Sequence, residues 1–144
     1  MKIIKDEKHL KIPCKPLSYN ESKKIAHKMV LFMLSHKNIE KNSVGLACNQ
    51  LGLQGRIIIV KIKNKWERFI NPVISYKSKE KIITEESCLS VPNKSIKVKR
   101  SKDITIYCEK GNHGWESSHT NGESIVIQHE IDHLNGIIIT DKEL

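Results

Sequence analysis

The amino-acid sequence predicts an α+β fold in which antiparallel strands pack around a central helix. Three features of the 144-residue chain support this prediction. A segment near the amino terminus carries apolar residues at helical spacing, and short apolar stretches bounded by turn residues follow from Arg56 to about Cys108. A third segment, near the carboxyl terminus, is apolar round most of a helix and is therefore expected to lie at the buried centre of the fold.

Residues 1–144 are expected to form a single domain, because the chain has the size of one domain and holds no repeat, low-complexity tract or long linker. A domain of about 150 residues buries roughly 68–70% of its unfolded surface, which is enough to fold without disulfides. No apolar run approaches the roughly 18 residues of a membrane span, and no charged-then-apolar leader opens the chain. A cytoplasmic protein without a membrane partner is expected.

The first helix is predicted from about Asn20 to His36. Ser18 and Glu21 have the spacing of a capping box, in which each side chain accepts a hydrogen bond from the other residue's backbone N–H. Apolar residues then recur at helical spacing and mark the buried face: Ile25, Met29, Phe32 and Met33.

The middle of the chain is predicted to form short strands separated by turn-rich pieces such as residues 63–65 and 109–112. In the last of these strands, Ile104, Ile106 and Cys108 share one face. Residues 113–119 are interpreted as a loop. The predicted strands are RIIIVKIK, ERFINP, VISY, KIIT, IKVKR and DITIYC.

A second helix is predicted between Thr120, whose segment can cap its start, and Gly136, which can end it. His129 and His133 lie four positions apart on one face of this helix, where they can bind one ion. Buried histidines need polar partners. Burial therefore raises the metal interpretation above chance, and a helix that carries two hydrogen-bonded histidines stays an equal alternative on this pattern alone.

Two histidines leave a catalytic metal one ligand short, because open zinc-type sites usually take three protein ligands and keep a position for water. The pattern HExxH by itself is typical of zinc proteases and also recurs by chance. Two upstream segments bear on the missing ligand: Glu86-Ser87-Cys88-Leu89-Ser90, and residues 43–50 with the sequence SVGLACNQ.

In chain order, residues 43–50, 86–90 and 128–133 resemble the motifs of the peptide deformylase family, G-φ-G-φ-A-A-x-Q, E-G-C-L-S and Q-H-E-φ-D-H. The resemblance covers nearly the whole chain, including residues 69–72 and the opening DEKHLKIPCKP. It implies a peptide deformylase-like fold, here a short form without the extended carboxyl-terminal helix, as in phage and viral members. Three ordered motifs are far more specific than one HExxH.

The resemblance implies a hydrolase that removes the formyl group from formyl-methionyl peptides and releases formate. Cys88 would supply a thiolate as the third metal ligand beside His129 and His133, a donor set that suits Fe(II) first and also Zn, Ni or Co. Glu130 would act as general base and acid without binding the metal. The implied oxyanion donors are the side-chain amide of Gln50 and the backbone N–H of Leu89, and the implied substrate-binding residues are Val44, Gly45 and Ser87.

The implied partners are formyl-methionyl nascent peptides. The net charge of +9 attracts polyanions and allows weak ribosome association through the basic surface, although a solvated, lysine-rich surface is the simpler interpretation. The implied location is the bacterial cytoplasm, or that of a bacterial host if a phage encodes the protein, with an organelle as an alternative.

Three positions depart from the family motifs. Ser43 and Ser87 replace glycines, and Cys48 stands where alanine is usual. If the glycine of the second motif requires a positive φ, Ser87 would be strained, whereas an extended backbone would tolerate it. These departures bear on substrate geometry more than on metal binding.

Two other functions are alternatives. A zinc endopeptidase shares HExxH but normally takes its third ligand from downstream of the helix, where IIITDKEL holds no histidine. A degenerate deformylase-like binding protein would hold RNA or a partner through the basic surface. The joint presence of Cys88, His129, Glu130, His133 and Gln50 argues against degeneration, because a chain freed from catalysis has no chemical need for all five.

Overall fold

The computed structural model describes residues 1–144 and shows an α+β fold of helices and antiparallel strands, as predicted. None of the helices combines the length and the apolar composition that a bilayer span requires. The helices are α1 (Glu7–Leu10), α2 (Tyr19–Ser35), α3 (Lys37–Glu40) and α4 (Asn121–Leu134), with 3-10 helices at Cys48–Leu51 and Ile139–Lys142. The strands are β1 (Gly45–Ala47), β2 (Ile57–Ile62), β3 (Lys65–Ile70), β4 (Val73–Lys77), β5 (Lys81–Cys88), β6 (Val91–Ser101), β7 (Asp103–Lys110) and β8 (His113–Thr120).

Helix α2 begins and ends within one residue of its predicted bounds. The hydroxyl oxygen of Ser18 accepts a hydrogen bond from the backbone N–H of Glu21 at 3.2 Å, as the cap spacing predicts. The buried face of α2 packs into the main core, which also holds apolar residues of β2, β7 and α4. The buried residues of α2 are Ser22, Ala26, Met29, Val30, Phe32 and Met33.

Two three-stranded antiparallel sheets and one hairpin make up the β structure. The strand orders are β1-β2-β3 and β4-β7-β8, while β5 pairs with β6 alone. Strand β2 is in contact with both α2 and α4, so residues 57–60 are all buried instead of alternating between core and solvent. The core therefore lies between the first sheet and the two long helices.

Residues 113–120 form strand β8, so the predicted loop is wrong. The segment HGWESSHT is polar, and it alternates between exposed and half-buried residues without a fully buried position. A continuous register with β7 holds it, from Asp103 opposite Thr120 to Lys110 opposite His113. The segment becomes a strand because its backbone pairs with β7 across the turn at Gly111, where φ is 67°. Its side chains alone give little hydrophobic signal for a strand.

The β5–β6 hairpin is longer than the predicted strands KIIT and IKVKR. Its register runs from Lys81 opposite Ser101 to Cys88 opposite Val91, with an irregularity between Glu86 and Cys88. Cys88 is therefore the last residue of β5, directly before a two-residue turn. A small separate core fixes the hairpin beside the second 3-10 helix and consists of Cys88, Ile96, Val98 and Ile139.

Helix α4 lies at the centre of the fold, in contact with β1, β2, β6, β7 and β8. Thr120 is its N-cap residue as predicted, but the Thr120 hydroxyl donates to Asp103 instead of capping the helix. At the other end, Gly136 follows the helix with a left-handed φ of 74°, as predicted. The guanidinium of Arg56 donates to the carbonyl oxygen of Leu134 at 2.9 Å and so satisfies the helix end.

Candidate metal centre

The three predicted metal ligands lie together where the end of β5 meets α4. Cys88, His129 and His133 offer one donor atom each, and these atoms all lie within 4.8 Å of one another. Cys88 Sγ is 3.3 Å from His133 Nε2, and the two imidazole ring centroids are 5.2 Å apart. The four-residue spacing on α4 places both rings on one face, and the last residue of β5 brings the sulfur to them.

The donor set fits a divalent metal ion. In a tetrahedral site, metal–sulfur bonds are about 2.3 Å and metal–nitrogen bonds about 2.0 Å long, so a sulfur and a nitrogen bound to the same ion lie about 3.5 Å apart. The 3.3 Å between Cys88 Sγ and His133 Nε2 is close to that separation. In the metal-free chain, burial lowers the pKa of His133 to about 3, helped by the charges of His129 and Arg100. Burial also disfavours the charge of His129, but the hydrogen bond to Cys88 and the charge of Glu130 outweigh it and raise the pKa of His129 to about 10. His133 is therefore ready to bind a metal ion as it stands, whereas an ion would displace a proton from His129, because an imidazole ligand must be neutral.

A buried carboxylate orients His129. The Nδ1 atom of His129 lies 2.9 Å from Glu86 Oε1 and donates to it, which leaves Nε2 for a metal ion. Arg100 holds the same carboxylate through Nε at 2.9 Å and Nη2 at 2.8 Å, and its Nη1 bonds to Asp132. Burial opposes the charge of Glu86, but hydrogen bonds from Arg100 and His129 outweigh it and lower the pKa of Glu86 to about 2. Glu86 is therefore a fixed anion behind the histidine.

Glu86, Arg100 and Asp132 are not among the predicted site residues, although the sequence holds a signal for the ion pair. Arg100 continues the two-residue alternation of Ile96 and Val98 and is only 4% exposed. A buried arginine requires anionic partners, and Asp132 follows His129 by three positions on the same face of α4. Strand alternation and helical spacing together point to this ion pair.

The metal ligands adjoin a groove of about 740 Å³, whose walls come from residues 42–45, 84–89 and 92–93 and from α4. The predicted substrate-binding residues Val44, Gly45 and Ser87 all line this metal groove. Three glutamates line it as well, but no lysine or arginine does, although the chain holds 25 of them. The metal groove therefore presents no lysine or arginine side chain in a strongly basic protein, and one of its glutamates, Glu86, is paired with the buried Arg100.

Glu130 lines the metal groove and is 4% exposed. Its Oε1 atom is buried without a hydrogen-bond partner in the chain. Burial raises the pKa of Glu130 to about 7, although the charges of His129 and Arg100 act in the opposite direction. Gly45 leaves room for this carboxyl, because a Cβ atom there would lie 2.6 Å from Glu130 Oε2. A carboxyl with this pKa can both accept and return a proton near neutral pH.

The two predicted oxyanion donors flank Cys88. The side-chain carbonyl of Gln50 accepts from the backbone N–H of Ala47 at 2.9 Å, which fixes the orientation of the amide. Its Nε2 donates to Ser90 Oγ at 3.1 Å and approaches Cys88 Sγ at 3.5 Å. The backbone N–H of Leu89, in the turn after Cys88, makes no hydrogen bond within the chain. Both donors therefore lie at the sulfur end of the site.

The three departures from the family motifs are accommodated without backbone strain. Ser87 lies in extended strand β5, and neither it nor Ser43 has a positive φ. The Ser43 hydroxyl donates to the carbonyl oxygen of Ile39 at 2.9 Å. Cys48 is fully buried, and its thiol donates to the carbonyl oxygen of Gly55 at 3.0 Å. Cys48 is thus a core residue outside the metal centre.

Comparison with known proteins agrees with this geometry. The family model for polypeptide deformylase matches residues 1–143. The chain belongs to the peptide deformylase family. The resemblance carried by the three sequence motifs is thereby confirmed. A peptide deformylase of Pseudothermotoga lettingae is 43% identical over 101 residues, which are 69% of this chain and 58% of that protein. One from Synechocystis is 34% identical over 145 residues, which are 94% of this chain and 74% of that protein.

Solved peptide deformylase structures share the fold. That of Thermotoga maritima has a TM-score of 0.86 at 29% identity and covers 100% of this chain and 96% of that chain. The deformylase of the Vibrio parahaemolyticus bacteriophage VP16T, in complex with actinonin, has a TM-score of 0.81 at 29% identity, over 96% of this chain and 99% of that chain. The predicted peptide deformylase-like fold is confirmed.

Proposed function

We propose that this chain is a metal-dependent hydrolase that removes the formyl group from formyl-methionyl peptides and releases formate. The observation that carries the proposal is the convergence of Cys88, His129 and His133 next to the groove that the carboxyl of Glu130 lines. Three ligands leave a coordination position open, and the carboxyl is available for proton transfer. Membership of the deformylase family supports this substrate over other amides.

Cys88, His129 and His133 would hold one divalent ion, which when bound lowers the pKa of a water and polarises a carbonyl group. Glu86 keeps His129 in one orientation, so that the same ring nitrogen faces the site throughout the reaction. Glu130 would take a proton from the attacking water and return it to the leaving amine, and the burial that raises its pKa in the metal-free chain favours this role.

The oxygen of the formyl group gains negative charge during attack, and hydrogen-bond donors at that position lower the barrier. The side-chain amide of Gln50 and the backbone N–H of Leu89 act as these donors in the proposal. Ala47 and Ser90 hold the amide of Gln50 in place before substrate arrives, so no reorganisation accompanies the reaction.

Substrate contacts fall to Val44, Gly45 and Ser87 along the metal groove. Val44 is 55% exposed at the edge of the groove, where an apolar substrate side chain could cover it. Gly45 lets the peptide backbone approach Glu130, because any side chain at this position would fill the space beside the carboxyl. Ser87 is exposed and lies in extended backbone on the wall of the groove that β5 forms.

Iron(II) is the proposed ion, with zinc, nickel or cobalt as replacements, because one thiolate and two imidazoles form a mixed soft and borderline donor set. The proposed substrates are nascent chains, and the proposed location is the bacterial or host cytoplasm where formyl-methionyl chains are made. Weak association with the ribosome through the basic surface is part of the same proposal.

The proposal is tested with metal-loaded protein and the peptide formyl-Met-Ala-Ser, with the acetylated peptide as control. Mass spectrometry is expected to show loss of the formyl mass, an intact Met-Ala bond and no reaction of the acetylated peptide. Cleavage of an internal bond would identify an endopeptidase instead. No reaction by protein with a full complement of metal would identify a binding protein.

A further inference from the structure

A second groove, of about 560 Å³, lies between α2, β3 and the end of the sheet formed by β7 and β8. Both tryptophans of the chain, Trp66 and Trp115, line it together with Tyr19, one of only three tyrosines. Its floor is apolar, with Ala26 and Ile70 buried. All three rings pack against the main core on one side, and their exposed parts offer planar surface on which a ligand with flat groups can stack.

The tryptophan rings of the second groove are held in place but not covered. Trp66 Nε1 donates to Glu40 Oε2 at 2.7 Å, and the ammonium of Lys61 lies 5.6 Å from the centre of the Trp66 ring. Trp115 stacks on Phe69, with centroids 6.0 Å apart and planes inclined by 21°. Both tryptophans remain partly exposed. Fixed and partly exposed rings are suited to stacking against the bases of a nucleic acid.

Basic side chains surround these rings. Lys23 and His27 lie one turn apart on α2, and Arg68 and Lys110 line the groove from the two sheets. All four side chains belong to exposed residues. Arginine and lysine in this arrangement attract phosphate groups, and the attraction adds to that of the whole chain with its net charge of +9.

Two carboxylates, Glu67 and Glu109, also line the second groove, but the lysine and arginine side chains that line it outnumber them by three to two. Glu109 accepts a hydrogen bond from Asn71 Nδ2 at 2.5 Å and is partly buried. Glu67 is exposed, as the cations are, so salt screens charges of both signs. The ammonium of Lys61, over the ring of Trp66, is paired with Glu40 Oε2 at 3.8 Å. The second groove therefore keeps a small excess of positive charge.

We propose that the second groove binds single-stranded RNA, with bases stacked on Trp66 and Trp115 and phosphates paired with Lys23, Arg68 and Lys110. The choice of RNA over DNA rests on the proposed function, because nascent formyl-methionyl chains are made beside RNA. The metal groove offers such a ligand no lysine or arginine for its phosphates. The second groove therefore holds a polyanion without competing for the peptide site.

Tryptophan fluorescence reports directly on this proposal, because both tryptophans of the chain line the groove. The full chain, loaded with metal, is titrated with an oligouridylate of about ten nucleotides, a length within the usual range of single-strand sites. Saturable quenching is expected. If three phosphates are neutralised, the affinity falls about fourfold for each doubling of the salt concentration.

Two matched double variants distinguish binding in the second groove from general attraction of the oligonucleotide to a basic surface. Arg68→Ser with Lys110→Ser is expected to weaken binding at least tenfold. Lys94→Ser with Lys97→Ser removes the same charge from exposed residues of β6 outside the groove and is expected to weaken it less than threefold. Equal weakening by the two pairs, or no saturable quenching of the unsubstituted chain, would overturn the proposal.

Two competitors test the identity of the ligand. Oligodeoxythymidylate of the same length is expected to bind more weakly than oligouridylate, and tighter binding would overturn the choice of RNA. Polyglutamate carries the charge without the bases and is expected not to displace the oligonucleotide. Full displacement would instead assign the groove to an acidic protein partner. None of these measurements depends on deformylation, so their failure is distinguishable from failure of the proposed function.

Discussion

The two grooves of this chain have comparable volumes, about 740 and 560 Å³, but they differ in what lies behind their walls. Behind the metal groove are charged groups that solvent hardly reaches, since Glu86, Arg100 and Glu130 are 7%, 4% and 4% exposed. The second groove carries its cations on exposed side chains above an apolar floor. Burial fixes donor positions and shifts pKa values, whereas exposed charges supply attraction that salt screens. The first arrangement suits the proposed catalytic role, and the second suits the proposed binding role.

The largest effect is expected from removing a ligand. Cys88→Ala takes away one of three donors and is expected to abolish stoichiometric metal binding and all measurable hydrolysis. Metal content per chain, measured after anaerobic purification, checks this. Cys108→Ala is the matched control, because Cys108 is also a buried free cysteine but lies in the main core. A full metal complement in Cys88→Ala would show that the ligand set is wrong.

A smaller but still large effect is expected from removing the proton carrier. Glu130→Gln is expected to keep its metal and to lose turnover by about 10²–10⁴-fold, the usual contribution of general acid–base catalysis. Turnover at saturating formyl peptide and metal content are measured on the same preparation, with Glu116→Gln on the exposed surface of β8 as control. A loss smaller than about tenfold would remove Glu130 from this role.

The oxyanion donor comes next. Gln50→Ala is expected to lose roughly 10²–10³-fold in turnover while the metal stays bound, by comparison with other deletions of a preorganised donor. The measurement is turnover at saturating substrate, which separates loss of transition-state stabilisation from loss of binding. Unchanged turnover would mean that a different group donates to the developing oxyanion.

Glu86 tests whether the buried network also stabilises the fold. Its folded pKa of about 2 lies below the ordinary value of 4.5, so the stabilisation is present above pH 4.5 and is lost as the pH falls through 2. In metal-free protein, Glu86→Gln is expected to lower the free energy of unfolding by about 3 kcal/mol at pH 7 and by about half as much at pH 3. Urea unfolding at the two pH values measures the difference. An equal loss at both would mean that the charge of Glu86 is not what stabilises the fold.

The smallest effect is expected on hydrolysis when two cations of the second groove are replaced. Arg68→Ser with Lys110→Ser is expected to change kcat/KM for a short formyl peptide by less than about twofold at physiological salt, because both side chains are exposed, where salt screens them, and neither lines the metal groove. The same formyl-peptide assay is used as for Glu130→Gln, so the two losses of activity can be compared directly. A tenfold loss would show that the two grooves are coupled.

Local sequence patterns predicted the parts of the site that lie within one element. The spacing of His129 and His133 on a buried helix follows from helical periodicity alone. Cys88 lies 45 residues before His133, and only the resemblance to a family joined it to the histidines. Strand β8 was missed because a polar strand is specified by pairing with β7 and not by its own side chains.

Side chains that meet only through tertiary structure could not be predicted from local sequence patterns, for the same reason. Trp66 and Trp115 belong to different sheets, so nothing in the sequence indicates that they line one groove. The burial of Arg100 could be predicted, because strand alternation places it on the buried face. Its partners could not, because Glu86 comes from the paired strand of the hairpin and Asp132 from a helix. Long-range contacts of this kind depend on how the elements pack.

The β5–β6 hairpin pairs with no other strand of a sheet, so its stability depends on packing against α4 and the second 3-10 helix. It carries Cys88, whereas α4 carries both histidines, so an ion shared by the three side chains also ties the hairpin to the helix. At an ion concentration of about 100 times Kd, such binding adds about 2.7 kcal/mol to the folded state. When metal is scarce, residues 81–101 lose this tie and are held to α4 by the ion pair of Arg100 with Asp132 and the contact of Glu86 with His129, so local opening of the hairpin, and with it exposure to proteases, is expected to increase. The lifetime of the protein in the cell would then follow the supply of the ion on which its chemistry depends.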